Sequence, residues 1–388
     1  MKGDRDQYAS KLKCIPDSSR TMMISIDTLQ TLDREAWDAR LLSAPEATIR
    51  QTASWGASAE ALLRMEPKFL TVRDETGEVL AQLLVLRQVA HHRFFRKRPA
   101  RSLLLGLAKP WFQELHWLDG LVVFDKGRAA LIFEAVVDFL EDYSRRWGIV
   151  AQRGVRLPVY WQDAEALAQA DDMLRGRGYE RRDWATFVID LRPTIEEIWR
   201  SFKSNVRKNI RKCEKQGVTI HKDSTGERLA EYQAILEEDR RHIGKRPFSI
   251  QHKLMRRKYL RGPHLDWQLY YAVYEGRMVG GMTTLTFNGN AIHAGFCRSD
   301  FCREQNLAVY YGLMWEFIQD AKKRGYVRYD LAGVAPSPRT AKERGIYAFK
   351  EKWGGRLIPY AEYTKVFRPG TERVIRFFRD GLRRLGVR

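Results

Sequence analysis

Two stretches of the chain repeat one pattern of apolar and polar positions. FLTVRDETGEVLAQLLVLR, residues 69–87, and LYYAVYEGRMVGGMTTLTF, residues 269–287, each read as a strand, a short turn at Gly77 or Gly276, and a second strand. The apolar runs are rich in Val, Leu, Tyr and Thr, which suit a pleated, half-buried surface. A second pair follows. FLEDYSRRWGIVAQRG (139–154) and FIQDAKKRGYVRYDLAG (317–333) each close an amphipathic helix in basic residues, stop it at Gly148 or Gly325, and enter a strand. Glycine accepts the left-handed stop, and Lys or Arg complements the negative helix end. Hairpin, helix and strand therefore occur twice in that order, which predicts two similar α/β domains in tandem. The first copy carries an insertion near residues 88–118 that includes part of RQVAHHRFFRKRPAR. The boundary is expected near FVIDLRPTIEEIW (187–199), where Pro193 and Thr194 precede an acidic turn that signals a helix start.

Past that boundary, SFKSNVRKNIRKCEKQGVTI (201–220) holds six Lys or Arg from Lys203 through Lys215 against one acid, Glu214. At about 100° per residue, Phe202, Val206, Ile210 and Cys213 fall on one narrow stripe. Lys203, Arg207, Arg211 and Lys215 recur every fourth residue beside it, and Lys208 and Lys212 fill out the polar side. Gly217 ends the helix, and Val218-Thr219-Ile220 begins a strand. Like charges four apart repel by roughly 0.2–0.5 kcal/mol a pair, so a purely structural helix would interleave Glu. The segment reads as a helix with one face for the core and one for an anion.

Composition sets the class of partner without choosing within it. The chain has 388 residues, 44% of them hydrophobic, enough for two packed cores. Against 48 Asp and Glu stand 68 Lys and Arg, a net charge of +20. Such a field concentrates RNA, nucleotide phosphates, anionic head groups and phosphorylated precursors alike. Cys14, Cys213, Cys297 and Cys302 form no CxxC pair, and the eight histidines form no HExxH, so no metal site and no disulfide framework is predicted. That cysteine usage suits a reducing cytoplasm. The N-terminus lacks an apolar stretch of signal-peptide length, and runs such as LLLGLA (103–108) are far too short to span a bilayer. RRM, KH and zinc-knuckle motifs are absent, which disfavours a simple RNA-binding module.

Four blocks resemble the Fem family of peptidyltransferases, which use aminoacyl-tRNA to add amino acids to the peptide stem of peptidoglycan precursors. SNVRKNIRKCEKQGV (204–218) resembles the start of that family's second domain. HAGFCRSDFCREQNLAVYYGLMWEFIQDAKKRGYVRYDLAGV (293–334) resembles its stretch where a helix ends in AK-x-x-G and a strand in YDxxG. GIYAFKEKWGG (345–355) resembles G-x-x-x-F-K-x-x-F-G, with Trp353 in place of the second Phe, and WLDGLVVFDK (117–126) is similar to a GPVV strand. The resemblance implies an α/β fold of two tandem GNAT-like acyltransferase domains with mixed sheets flanked by helices, at 23–190 and 191–360. It also implies a helical tail, 361–388, that returns to pack on the first domain. Residues 1–22 match no block and are expected to be disordered.

The implied reaction is attack by a free amine on the ester carbon of an aminoacyl-tRNA. An ester is already activated, so the enzyme must chiefly position the substrates and stabilise an oxyanion. Lys350, which follows Phe349 in the matched motif, is implied as the cation at that oxygen, with Lys352 as the fallback. Phe349, Tyr347 and Trp353 are expected to shape the pocket or stack on the terminal adenosine. Arg207 and Arg211, with Lys208 and Lys212, suit the diphosphate of a nucleotide- or lipid-linked precursor, because guanidinium forks match phosphate oxygens. The same helix suits the tRNA backbone, and the sequence leaves both roles open. Aminoacyl-tRNA is a co-substrate, and no cofactor is implied.

Asp119, Asp125 and Asp330 read as turn or capping residues, so no general base is assigned. His242, His252 and His293 read as surface or strand residues, and Cys297 and Cys302 as buried. The rival reading is an acyl-CoA-dependent N-acyltransferase, for example in exopolysaccharide or other envelope biosynthesis. Such enzymes hold pyrophosphate with Q/R-x-x-G-x-G/A before a helix. Here residues 303–308 read REQNLA, with Asn306 where glycine allows close backbone approach. The tail TERVIRFFRDGLRRLGVR places Val374, Phe378, Leu382 and Leu385 on one face and Arg on the other. That pattern suits packing on the first domain, or peripheral contact with anionic lipid at the inner face of the membrane.

Overall fold

The computed structural model describes residues 11–16, 21–29, 32–89, 111–157, 163–244 and 250–384. Residues 90–110, most of the expected insertion, lie outside them, as does Leu385 of the tail. The chain divides into two compact units, one of residues 1–182 with 361–388 and one of residues 183–360. No helix among the described residues is long and apolar enough to cross a membrane.

In the first unit the strand order is β1 (Lys11–Pro16), β2 (Thr21–Thr28), β3 (Glu66–Arg73), β4 (Val79–Val89), β5 (Gln113–Trp117), β7 (Ala151–Arg156) and β14 (Arg356–Val366), with β6 (Val122–Val123) on β4. Residues 11–16, read from the sequence as part of a disordered N-terminus, pair with β2 from Lys11 opposite Ile26 to Pro16 opposite Thr21. Neighbours from β1 to β5 are antiparallel, and β5 and β7 are parallel, with Glu114 opposite Ala151. A parallel pair needs a crossover, which α3 (Ala129–Arg146) supplies. It buries Ile132, Phe133, Val136, Phe139 and Leu140 in one core with Val85, Leu115 and Trp117. Around it lie α1 (Arg34–Leu42), α2 (Ala53–Leu63), α4 (Ala164–Gly176) and α12 (Pro369–Arg384). Ile375 of α12 packs with Val150 and Phe112, and Glu372 meets Arg153 at 2.7 Å.

The second unit orders its strands β14, β8 (Glu180–Asp190), β13 (Arg328–Val334), β12 (Asn290–Arg298), β11 (Arg277–Phe287), β10 (Leu265–Tyr274) and β9 (Thr219–Asp223). Strands β9 to β12 pair antiparallel, β12 and β13 pair parallel, and β13 and β8 pair antiparallel. The crossover is α10 (Val309–Lys323), so the hairpin, helix and parallel strand of the first unit recur. Gly148 and Gly325, at the two helix ends, take φ 62° and 74°. The unit also holds α5 (Ile195–Ser201), α6 (Ser204–Lys215), α7 (Leu229–His242), α8 (Ile250–Tyr259), α9 (Asp300–Glu304) and α11 (Ala341–Glu351).

A Thr194–Glu197 capping box starts α5. Phe202, Val206, Ile210 and Cys213, the stripe seen in the sequence, are all buried. Each large apolar side chain there contributes about 1.5–3 kcal/mol by leaving water. Helix α6 meets α10 at Gly312, where a Cβ would come 2.6 Å from the Cys213 sulfur.

Candidate active site

Strands β12 and β13 pair only where Asn290–Ile292 face Arg328–Asp330. Beyond Ile292, β12 follows β11 across a register shift at Thr283/Thr284, and beyond Asp330, β13 follows β8 across a shift at Asp330/Gly333. Such irregularities bend strands, and these two part at the carboxyl ends of a parallel pair. Ligands of open α/β sheets bind outside such ends.

Asp330 builds the bend in β13. Its carboxylate accepts from the Thr186 hydroxyl and, at 2.7 Å, from the Ala332 N–H, and Ala332 sits at φ 66°. The turn brings the carbonyls of Ala332 and Gly333 to Lys350, whose ammonium donates to them at 2.9 and 3.1 Å. Lys350 stands in the last turn of α11, which a Thr340–Glu343 capping box starts. Burial pulls its pKa down to about 8, against the opposing charge of Asp330. An ammonium has three N–H bonds, so one is left for a further acceptor.

Aromatic rings line the parting. Phe349 lies edge to face with Tyr310 at 4.8 Å, Tyr310 with Phe296 at 4.2 Å, and Tyr347 with Phe187 at 5.1 Å. His293, the first β12 residue past the paired segment, has Nδ1 3.0 Å from the Tyr329 hydroxyl and Nε2 3.3 Å from the Tyr310 hydroxyl. It keeps a little exposure, yet burial and then the charge of Lys350 push its pKa down to about 3. The ring is neutral at physiological pH. The sequence reading passed over His293 because its partners lie 17 and 36 residues away, beyond the reach of any local motif.

The remaining expected site residues separate. Trp353 does not line a pocket: it is fully buried, 5.2 Å from Phe202 and stacked on Tyr311 at 5.9 Å, so no face is left for a ligand. Lys352 donates to the Tyr311 hydroxyl at 2.6 Å and covers the Phe349 ring at 4.1 Å, which braces Phe349. Arg207 donates to the carbonyls of Phe202 and, at 3.2 Å, Arg200. One nitrogen of its guanidinium thus finishes the open end of α5. Arg211 lies over the Trp199 ring at 5.6 Å. Lys208, Arg211, Lys212 and Lys215 share about 100° of arc opposite the buried stripe. Among the described residues, Lys208, Lys212 and Lys215 have no ion pair or hydrogen bond from their side chains.

The acidic candidates are held elsewhere. Asp119 is buried, with Thr48 Oγ1 at 2.7 Å, Arg50 at 3.0 Å and Arg156 at 3.2 Å. Burial acts to raise its pKa, but the two guanidinium groups outweigh it and hold the carboxyl below the usual range. Asp125 pairs with Arg128 at 3.4 Å. Cys297 and Cys302 are buried thiols, and no cluster among the described residues could hold a metal ion.

The loop ahead of α10 differs from its sequence reading. Asn306 adopts φ 48°, the left-handed shape expected of glycine, so the bend is kept. Its amides, however, are occupied. The N–H groups of Asn306 and Leu307 donate to Arg303 and Cys302 carbonyls at 3.0 Å, and that of Ala308 to Gln216 Oε1 at 3.1 Å. Gln216 returns a bond from Nε2 to the Asn306 carbonyl at 3.2 Å. Gln216 thus takes the Ala308 N–H, one backbone donor at the head of this helix that a pyrophosphate would otherwise use.

Residues 200–351 match the model of an acetyltransferase (GNAT) domain. The fold is similar to that of the crystal structure of FemX, with a TM-score of 0.69 and 14% identity over 89% of this chain and 99% of that one. It is similar also to a tandem GNAT protein from the clavulanic acid biosynthesis pathway, TM-score 0.54 at 13% identity over 88% and 98% of the two chains. A third likeness is to the C-terminal domain of a putative lysylphosphatidylglycerol synthetase from Agrobacterium fabrum, TM-score 0.52 at 12% identity over 87% and 96%. No curated protein matches the sequence. The chain therefore has an α/β acyltransferase fold of the GNAT type, with mixed sheets flanked by helices.

Proposed function

We propose that this chain is a Fem-like aminoacyltransferase that moves an amino acid from aminoacyl-tRNA to an amine of a peptidoglycan or related cell-envelope precursor. One observation carries the reading. The Lys203 N–H, at the start of α6, donates to the Lys352 carbonyl at 2.9 Å, and its ammonium pairs with Glu351 at 2.6 Å. The start of α6 is therefore tied to the helix end that presents Lys350, and the cationic face lies further along the same helix. From Lys208 to Lys215 that face runs about 10 Å at 1.5 Å per residue. Such a length suits successive phosphates of an RNA strand better than one diphosphate. Lys350 would face the oxyanion with its remaining N–H, and Phe349 with Tyr347 would offer rings to the terminal base. In the first unit, exposed Val374 and Phe377 beside Arg373 and Arg376 support a peripheral contact with anionic lipid, where a lipid-linked acceptor would be met.

The test uses tRNA charged with labelled amino acids, and UDP-linked and lipid-linked muropeptides as amine acceptors. Label should leave tRNA for an acceptor with the wild type and stay on tRNA with Lys350→Ala. Transfer that survives the substitution would remove the lysine's role.

The domain match favours a second reading, transfer from acyl-CoA. Gln216 at the head of α10 weighs against it. Calorimetric titration with coenzyme A decides: micromolar binding by the wild type would revive that reading.

A further inference from the structure

Amine attack on an ester needs a place for the amine's surplus proton. Asp330 holds the bend in β13, and Asp119 and Asp125 are tied to arginines. A chain of hydrogen bonds at the strand parting remains. The Tyr329 hydroxyl reaches two thioether sulfurs, Met314 at 3.3 Å and Met282 at 3.8 Å, and donation to either leaves its oxygen to accept from His293 Nδ1–H. Nε2 of the neutral ring then carries no hydrogen and accepts from the Tyr310 hydroxyl. Tyr310 in turn lies against Phe349, the neighbour of Lys350.

We propose that Tyr310 and His293 form a proton shuttle for aminoacyl transfer, with Tyr329 as the positioning residue that sets the tautomer of the histidine. The shuttle rests on the aminoacyl reading above. As the amine nitrogen bonds the ester carbon, the carbonyl π pair moves onto oxygen beside the Lys350 ammonium. The surplus proton on nitrogen passes to the Tyr310 oxygen while the hydroxyl proton of Tyr310 passes to Nε2. The intermediate then collapses, the bond from carbon to the ribose oxygen breaks, and the imidazolium returns its proton through Tyr310 to that oxygen. The products are an amide and a free ribose hydroxyl, and the enzyme ends as it began. Timing is built in. Burial first and the Lys350 charge second disfavour an imidazolium in the resting site, and the oxyanion offsets the second of these when the proton must move.

Single-turnover transfer from charged tRNA to a UDP-linked muropeptide tests this from pH 6 to 9, with H293Q, Y310F and the wild type. Both variants should be slowed about 100-fold at pH 7, with unchanged affinity for charged tRNA. Both should regain rate relative to the wild type as pH rises, because hydroxide can take the proton instead. The wild type should show a solvent deuterium isotope effect that Y310F lacks. Rates within twofold of wild type at every pH would overturn the shuttle and leave the aminoacyl reading standing. So would a wild type without an isotope effect, a measurement that holds even where a variant fails to fold. No transfer by the wild type from any charged tRNA removes the aminoacyl reading and the shuttle with it.

Discussion

Lys350 is set from two places in the chain: β13, through the carbonyls at 332 and 333 and the charge of Asp330, and its own helix. A pKa near 8 makes activity and stability respond to pH in opposite directions. If the ammonium meets the oxyanion, transfer falls as pH rises through about 8, and Lys350→Arg moves that limb to higher pH. The folded pKa lies below the ordinary 10.5, so the unfolded chain binds more protons between about 8 and 10.5. The fold should therefore gain stability over that window while activity is lost. Melting curves at pH 7.5 and 9.5 should show the gain, and Lys350→Met should erase it. His293 has the same sign in another window: its contribution is complete above pH 6.5 and is lost as pH falls toward 3. An acid melt of H293Q should begin at lower pH than that of the wild type.

Among the elements, periodicity fixed more than chemistry did. The hairpins at Gly77 and Gly276, the helix stops at Gly148 and Gly325, and the buried stripe of α6 were all legible, because each depends on spacing within one segment. Trp353 was misjudged, and the bond of Arg207 to the end of α5 went unseen, because their partners belong to the packing between segments. The GNAT-like loop was half legible: residue type forecast the missing glycine, but not that Asn306 keeps its shape or that Gln216 takes the Ala308 amide. The glycines of GIYAFKEKWGG gain a physical reason. Gly354 sits at φ 69°, and a Cβ there would come 2.7 Å from the Ser201 carbonyl. G354A should cost about 2 kcal/mol or more in urea melts, from strain and overpacking together. Gly312→Val should wedge α6 from α10, costing about 1–3 kcal/mol in the same measurement and weakening binding of uncharged tRNA.

For the whole molecule, a net charge of +20 draws in any polyanion, and the α6 face is the part that should register it. If four cations there meet phosphates, the log–log slope of tRNA affinity against salt includes about −3 from this helix. Replacing Lys208, Lys212 and Lys215 by Ala should reduce the slope by about 2, read by filter binding at several salt concentrations. An unchanged slope would place the RNA elsewhere.

Strand β14 has a further consequence. Its residues from Glu362 to Val366 pair with Arg156 to Ala151 of β7, in a unit that otherwise takes only α12 from beyond residue 182 among the described elements. On the ribosome, the second unit emerges before residues 362–366 of that strand do. Through most of synthesis β7 therefore waits with an unpaired edge, the kind of edge that recruits other chains. A chain released early, after residue 360, should aggregate even though residues 183–360 are all present. Late translation, and not only the chemistry at Lys350, thus becomes a point where a premature stop would silence this protein.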